Sequence, residues 1–332
     1  MNELKNTGHR NPNLDLIKCI ACIGVVGLHA VGMKNYTIYY LCGISVPFFF
    51  MVNGFLMFQK QDIRYSYILR KIGMILAVVF AWNVLMMVPV YLFRHKLSNP
   101  FLQTGLSLLQ KGYLWHFWFF GSLLLIYLIL PVIHKFLKEH QRIHILICGT
   151  LFPVSIGFMI WSMYQKTSME LYVPQSLRLW IWLFYYLFGG LMGTLRSSKK
   201  TVRLPLWIHG LLVIMLAVFA NIAAKRIGFY FVQNRLMECF YDECLQILYS
   251  VSAFTFFLRI SVKKCQKLIT TLSSVTMGIY IIHPILLFVA ESMTLPSSLA
   301  AILLFWLGLT VLSGILAFIM KQLPIIKKLV SL

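Results

Sequence analysis

Between Asn13 and Met33 the sequence reads NLDLIKCIACIGVVGLHAVGM, an apolar stretch of membrane-crossing length that nevertheless carries Asp15, Lys18 and His29. On a helix, the eleven steps from Lys18 to His29 leave them about 20° apart around the axis and about 16 Å apart along it. Asp15 falls on the same stripe, about 60° from Lys18 around the axis. Gly24 and Gly27 lie on the opposite face, where a neighbouring helix can come close. The stripe therefore offers two chemistries at two depths. A histidine near the far end of the span suits a general base or a nucleophile, both of which need a neutral imidazole. A lysine near the other end either holds an anion or snorkels to the headgroups as an anchor. Asp15 either orients Lys18 through an ion pair or caps the helix N-terminus.

Other residues could join them. His283, in GIYIIHPILL, is a second intramembrane histidine, and Pro284 after it removes a backbone donor and can bend the helix. Asn53, in PFFFMVNGFLM, places an amide among large apolar groups, where an interhelical hydrogen bond is its natural use. Arg64, Arg70 and Lys71 precede another apolar run and serve either as topology anchors or as a clamp for a polyanion. Cys19 and Cys22 form a CxxC inside the first apolar run and are read as small packing residues. Gly189 and Gly193 form a GxxxG for close helix packing. Cys239 and Cys244 would point about 140° apart on a continuous helix, so no disulfide is expected between them. No metal site is expected.

These residues must be held by a membrane protein. The chain has 332 residues, 60% hydrophobic and 12% charged, with a mean hydropathy of +0.80, outside the range of a soluble domain. The net charge of +21 does not indicate nucleic acid, because the basic residues come in short groups between apolar runs rather than as a stripe. Ten candidate spans are predicted, near 14–33, 38–58, 72–93, 114–134, 143–164, 179–195, 204–224, 240–258, 272–290 and 298–320. The fold expected is all-α and polytopic, one transmembrane domain over 1–332 with no appended soluble domain and no cleaved leader. Most basic residues fall on alternate connecting segments, such as Lys60, Arg64, Arg70 and Lys71, then Lys135, Lys138 and Arg142, then Arg259, Lys263, Lys264 and Lys267. The positive-inside rule then puts both termini in the cytoplasm. The longer outer segments, Arg94 to Tyr113 and Lys225 to Tyr241, mix aromatic, amide and charged side chains that either bind a sugar or simply sit at the headgroups.

In order along the chain, several stretches resemble the membrane-bound acyltransferase family 3. LDLIKCIACIGVVGLHA is similar to the family's first helix, in which an arginine precedes a histidine; Lys18 stands here for the arginine. PFFFMVNGFLM resembles an FFFxxSGYL second helix with Asn53 for serine, YILRKI a basic entry to the third, LWHFWFFGSLLLIYLILP the LWFLxxLxxxYLxxP of the fourth, and GIYIIHP the GxYLxHP of the ninth.

The resemblance implies ten spans and transfer of an acyl group, usually acetyl, from cytosolic acyl-CoA to an envelope carbohydrate or lipid-linked glycan. The site would be the bacterial cytoplasmic membrane, among its lipids. It implies that His29 and His283 are the catalytic histidines and that Lys18, with Arg64, Arg70 and Lys71, faces the CoA. Asp15, Asn53, Trp118 and Tyr127 are the expected supporting residues. Lysine for arginine at position 18 keeps a charge but loses the bidentate fork for phosphate. His29 would either deprotonate the acceptor hydroxyl or carry the acyl group itself. A carrier or flippase for a glycan precursor is the competing class, because many spans with polar groups at depth also describe a transporter.

Overall fold

A computed structural model describes residues 10–195, 204–232, 240–290, 298–324 and 326–330. Every regular element among them is helical. In chain order they are α1 (Pro12–Val31), α2 (Tyr36–Leu41), α3 (Ser45–Phe58), α4 (Tyr65–Arg94), α5 (Pro100–Leu108), α6 (Trp118–Glu139), α7 (Gln141–Tyr164), α8 (Leu179–Leu195), α9 (Leu206–Arg226), α10 (Cys244–Phe257), α11 (Gln266–Ser273), α12 (Thr276–Ala290) and α13 (Leu299–Gln322). Below, "inner" and "outer" mean the Pro12 and Val31 ends of α1.

Among the described residues, seven helical segments are long and apolar enough to cross a membrane, and an eighth is if the bent pair Lys263–Ser273 and Thr276–Ala290 counts as one. The expected spans at 179–195 and 240–258 correspond to the shorter helices Leu179–Leu195 and Cys244–Phe257. By length and composition, seven or eight of the ten expected spans are long enough to cross a membrane among the described residues.

Helix α1 starts where its sequence says it should. The Asn11 side chain accepts from the Asn13 amide at 3.1 Å and Pro12 occupies the first turn, so the N-cap belongs to Asn11 and not to Asp15. The helix ends at Gly32, whose φ of 44° suits a residue without Cβ.

Around α1 the packing is set by glycine. A Cβ on Gly24 would run into the Ser45 hydroxyl, and one on Gly27 would lie 2.7 Å from the Trp306 ring. The second span and α8 come closer still: Gly54 faces the Tyr186 carbonyl, and Gly189 and Gly193 of the GxxxG face the Met51 and Phe55 carbonyls. Backbone approaches this tight give dispersion contact that bulkier residues would prevent. On the periphery, α7, α9 and α13 turn residues such as Leu146, Trp207 and Leu304 outward, as lipid-facing helices do.

The ninth span is bent by 52°, between Ser273 and Thr276. Pro284, the expected cause of a bend, lies inside the continuous α12. Broken backbone inside a membrane must find partners, and here it does. Arg10 donates to the Thr270 carbonyl at 3.1 Å, Lys321 to that of Ser274 at 3.1 Å, and the Cys22 thiol to that of Thr276 at 3.4 Å. Cys19 likewise donates to Ile269 at 3.7 Å. The CxxC therefore serves packing at the break. Cys239 lies outside the described residues.

Candidate active site

Two cavities flank a wall of aromatic rings beside α1. The inner one, about 300 Å³, is lined by Lys18, Lys71, Asn53 and Tyr127 and by the hydroxyl-bearing break at Ser273, Ser274 and Thr276. The outer one, about 580 Å³, is lined by His29, His116, Trp115, Trp118, Glu170 and Gln175, among others. Phe49, Phe119 and Tyr280 line both. Their ring centroids are 6.0 to 6.2 Å apart, so the three rings touch one another as a septum. Lys18 and His29 open on different cavities, as their spacing along α1 requires.

At the inner end, Asp15 is 2% exposed and carries three partners. Arg10 donates to one oxygen at 2.5 Å, Ser273 to the other at 2.7 Å, and the Lys18 ammonium lies 3.6 Å from that second oxygen. Asp15 thus anchors α1 to α11 and steers Lys18. Of the four basic residues expected to face a polyanion, Lys18 and Lys71 line the cavity. Arg64 is exposed and paired with Asp62 at 3.4 Å, and Arg70 is exposed on the neighbouring helix face. Tyr127 donates its hydroxyl to Asn53 at 3.1 Å, so the amide makes the interhelical bond expected of it. The two aromatic residues expected on the fourth helix part company: Tyr127 serves the inner cavity, whereas Trp118 lines the outer one and packs on Trp182 at 5.0 Å.

At the outer end, two histidines 254 residues apart in sequence meet. His29 Nδ1 lies 2.9 Å from His283 Nε2, and His283 Nδ1 lies 2.9 Å from the Ile279 carbonyl oxygen. A carbonyl can only accept, so His283 carries its proton on Nδ1. With both rings neutral, His283 Nε2 is then the acceptor and His29 Nδ1 the donor. The lone pair of His29 is left on Nε2, in a ring that lines the outer cavity. The backbone of α12 thereby sets the tautomer of a side chain on α1.

Sequence reasoning missed the rest of the outer wall. His116 is 2% exposed, and neither of its ring nitrogens has a hydrogen-bond partner. Its ring is 6.4 Å from that of His29, and its carbonyl accepts from the Tyr280 hydroxyl. Glu170 accepts from the Gln110 amide, which also takes the Gln175 backbone N–H at 2.6 Å. Gln110 does this from a left-handed backbone, φ 64°, uncommon for a residue with a side chain and typical of functional segments. Burial pushes the Glu170 carboxyl above the usual range, with Arg178 and Gln110 drawing it partway back. Burial likewise raises Asp242, against the pull of Arg178.

A hydrogen-bonded histidine pair, a lysine-lined cavity and a glutamate-lined cavity thus lie within an all-helical protein with several helices of membrane-crossing length. Residues 11–321 match the model of the acyltransferase 3 family, described as an acyltransferase domain, and the chain belongs to that family. It is also similar to an amino-acid racemase of Enterococcus faecalis, at 22% identity over 320 residues. That match covers 86% of this chain, which spans 42% of the length of the racemase. No solved structure matches.

Proposed function

We propose that the protein moves an acyl group, acetyl by its family resemblance, from cytosolic acyl-CoA to a hydroxyl of an envelope glycan or glycolipid outside the membrane. The observation that carries this is the His29–His283 pair, which leaves the lone pair of His29 on Nε2 in a ring that lines the outer cavity, while Lys18 and Lys71 line the inner one. A polyanionic donor with a thin, flexible arm suits this arrangement. Its phosphates meet the two ammonium groups, and only the arm passes the septum. Thr276, at the N-terminus of α12, lines the same inner cavity.

His29 then takes the proton of the acceptor hydroxyl as that oxygen attacks the thioester carbonyl, the C–S bond breaks, and CoA leaves as the thiol. Alternatively, His29 Nε2 attacks first and passes the acyl group on. The name of the racemase relative does not carry over, since the match leaves more than half of that protein outside it. The second reading, a carrier for a glycan precursor, keeps the two cavities but leaves the histidine relay without a task.

The test is transfer of label from acetyl-CoA to membrane glycans. His29→Ala is expected to lower turnover about 10²–10⁴-fold, the usual worth of a positioned general base. Lys18→Ala is expected to raise the KM for acetyl-CoA with kcat retained. Wild-type turnover in His29→Ala overturns the transferase reading. Glycan export lost in a variant without any acyl transfer in the wild type supports the carrier.

A further inference from the structure

The outer cavity shows more than a place for an acceptor; its polar wall has a sign and a hydrogen-bonding bias. Among the described residues that line it, Glu170 is the only one with a formal charge, and no lysine or arginine is present. Three of its polar groups lack partners. They are the second carboxylate oxygen of Glu170, the side-chain oxygen of Gln175, and both nitrogens of His116. Gln175 is 3% and His116 2% exposed, so neither can turn to bulk water for a partner. Two of the three groups only accept hydrogen bonds, and a neutral imidazole accepts with one of its nitrogens. The wall therefore carries more unpaired acceptors than donors, a bias that favours a ligand rich in donors.

The lining is also aromatic. Trp115 lies against His29 with ring centroids 5.0 Å apart and is 43% exposed. An exposed indole face next to carboxylate and amide acceptors matches a sugar ring, whose C–H face is apolar and whose rim is hydroxyl. Gln110 holds Glu170 in place from the far side, and buried Arg178, whose Nε donates to the Val173 carbonyl at 3.1 Å, favours its ionised form.

We infer that the outer cavity is a carbohydrate subsite that selects neutral and amino sugars against acidic ones, with Glu170 as the residue that sets the selection and His116 and Gln175 as the groups that bind the ring hydroxyls. This rests on the transferase reading for what happens at His29, but the selection itself is a property of binding. A carboxylate or phosphate on the ligand would meet the Glu170 carboxylate in a half-buried site with no cation lining the cavity, where like charges are strongly unfavourable. A ligand ammonium meets its complement there.

The experiment needs no donor. The full-length protein in lipid nanodiscs is melted with increasing methyl glucoside, methyl glucosaminide or methyl glucuronide, and the apparent Kd is taken from the shift in Tm. The wild type is expected to bind the glucuronide at least about tenfold more weakly than the other two, a difference of about 1.4 kcal/mol. Glu170→Gln, close in shape and uncharged, is expected to bring the glucuronide to within about threefold of the glucoside and to lose any advantage of the glucosaminide. His116→Ala is expected to weaken all three together. Equal wild-type binding of glucuronide and glucoside overturns the inference, and so does a general osmolyte-like stabilisation that Glu170→Gln keeps unchanged. The wild-type comparison decides even where a variant fails to fold. Acyl transfer is measured separately in membranes: its absence alongside intact sugar selection fails the transferase reading only, and its presence without selection fails this inference only.

Discussion

His283 hands its Nε2 to His29 because the Ile279 carbonyl, one turn earlier on the same helix, occupies its Nδ1. The tautomer of His29 is therefore set from α12. On the proposed reading, His283→Ala is expected to lower kcat for acyl transfer by about 10–100-fold, the scale seen when a partner that orients a reacting group is lost, with the KM for acyl-CoA unchanged because that reading puts the donor's charges at the inner end. His283→Ala with full kcat, or with a raised KM and normal kcat, would show that the pair braces the helices and nothing more.

The septum makes a different demand. On the proposed reading, Phe49, Phe119 and Tyr280, which line both cavities, keep outer water from the thioester until the donor's arm has passed between them. Phe119→Leu keeps an apolar side chain and is expected to cost about 1–2 kcal/mol in stability, leaving a folded protein with a gap in the wall. Release of CoA in the absence of acceptor should rise in this variant, because water now reaches the thioester. Acceptor-free release identical to wild type, measured by thiol titration, would mean that the rings do not keep water out.

Much of this architecture was legible in the sequence, and the limits of legibility have physical causes. Apolar windows located the helices, since burial in lipid requires them, but not which would be short or bent. The break between Ser273 and Thr276 is hidden because serine and threonine satisfy either a helix or a turn through their hydroxyls. His29 and His283 each stood out as an ionisable group at membrane depth, but periodicity says nothing about which helices pair, so their meeting did not. Among Arg64, Arg70 and Lys71, a topology anchor and a cavity-lining cation look alike until helix phase is known. Lys71, about 100° around from Arg70, is the one that lines the cavity. His116 sits among the aromatic residues of LWHFWFF, which mask it, and Glu170 and Gln175 fall in an outer connection with no periodicity to mark them.

Glycine substitutions separate packing from chemistry. A methyl on Gly54 would meet the Tyr186 carbonyl, whereas one on Gly73, inside α4, meets nothing within 4 Å. Gly54→Ala is expected to destabilise by about 1–3 kcal/mol, as overpacked cores do. Gly73→Ala is expected to be neutral or to stabilise by up to about 1 kcal/mol, since alanine favours helix more than glycine does. Equal melting temperatures for the two variants would contradict the close approach of α3 and α8.

Glu170 should reveal its burial through pH. Its carboxyl is raised, first by desolvation, with Arg178 and Gln110 opposing. An acid with a raised folded-state pKa binds its proton more readily folded than unfolded, so its contribution to stability declines as pH climbs from the ordinary carboxyl range through the raised value. Glu170→Gln removes that decline while leaving an oxygen for the Gln110 amide. The variant's Tm relative to wild type is therefore expected to rise with pH across that window and to level off above it. Burial of Asp242, raised in the same direction, is common to both proteins and cancels from the difference. A variant more stable at neutral pH but impaired in sugar selection is the pattern of a residue kept for function at some expense of stability. A Tm difference that is flat with pH, measured in nanodiscs by scanning fluorimetry, would mean that Glu170 is solvated like an ordinary surface carboxylate and would remove the basis for its role in the outer cavity.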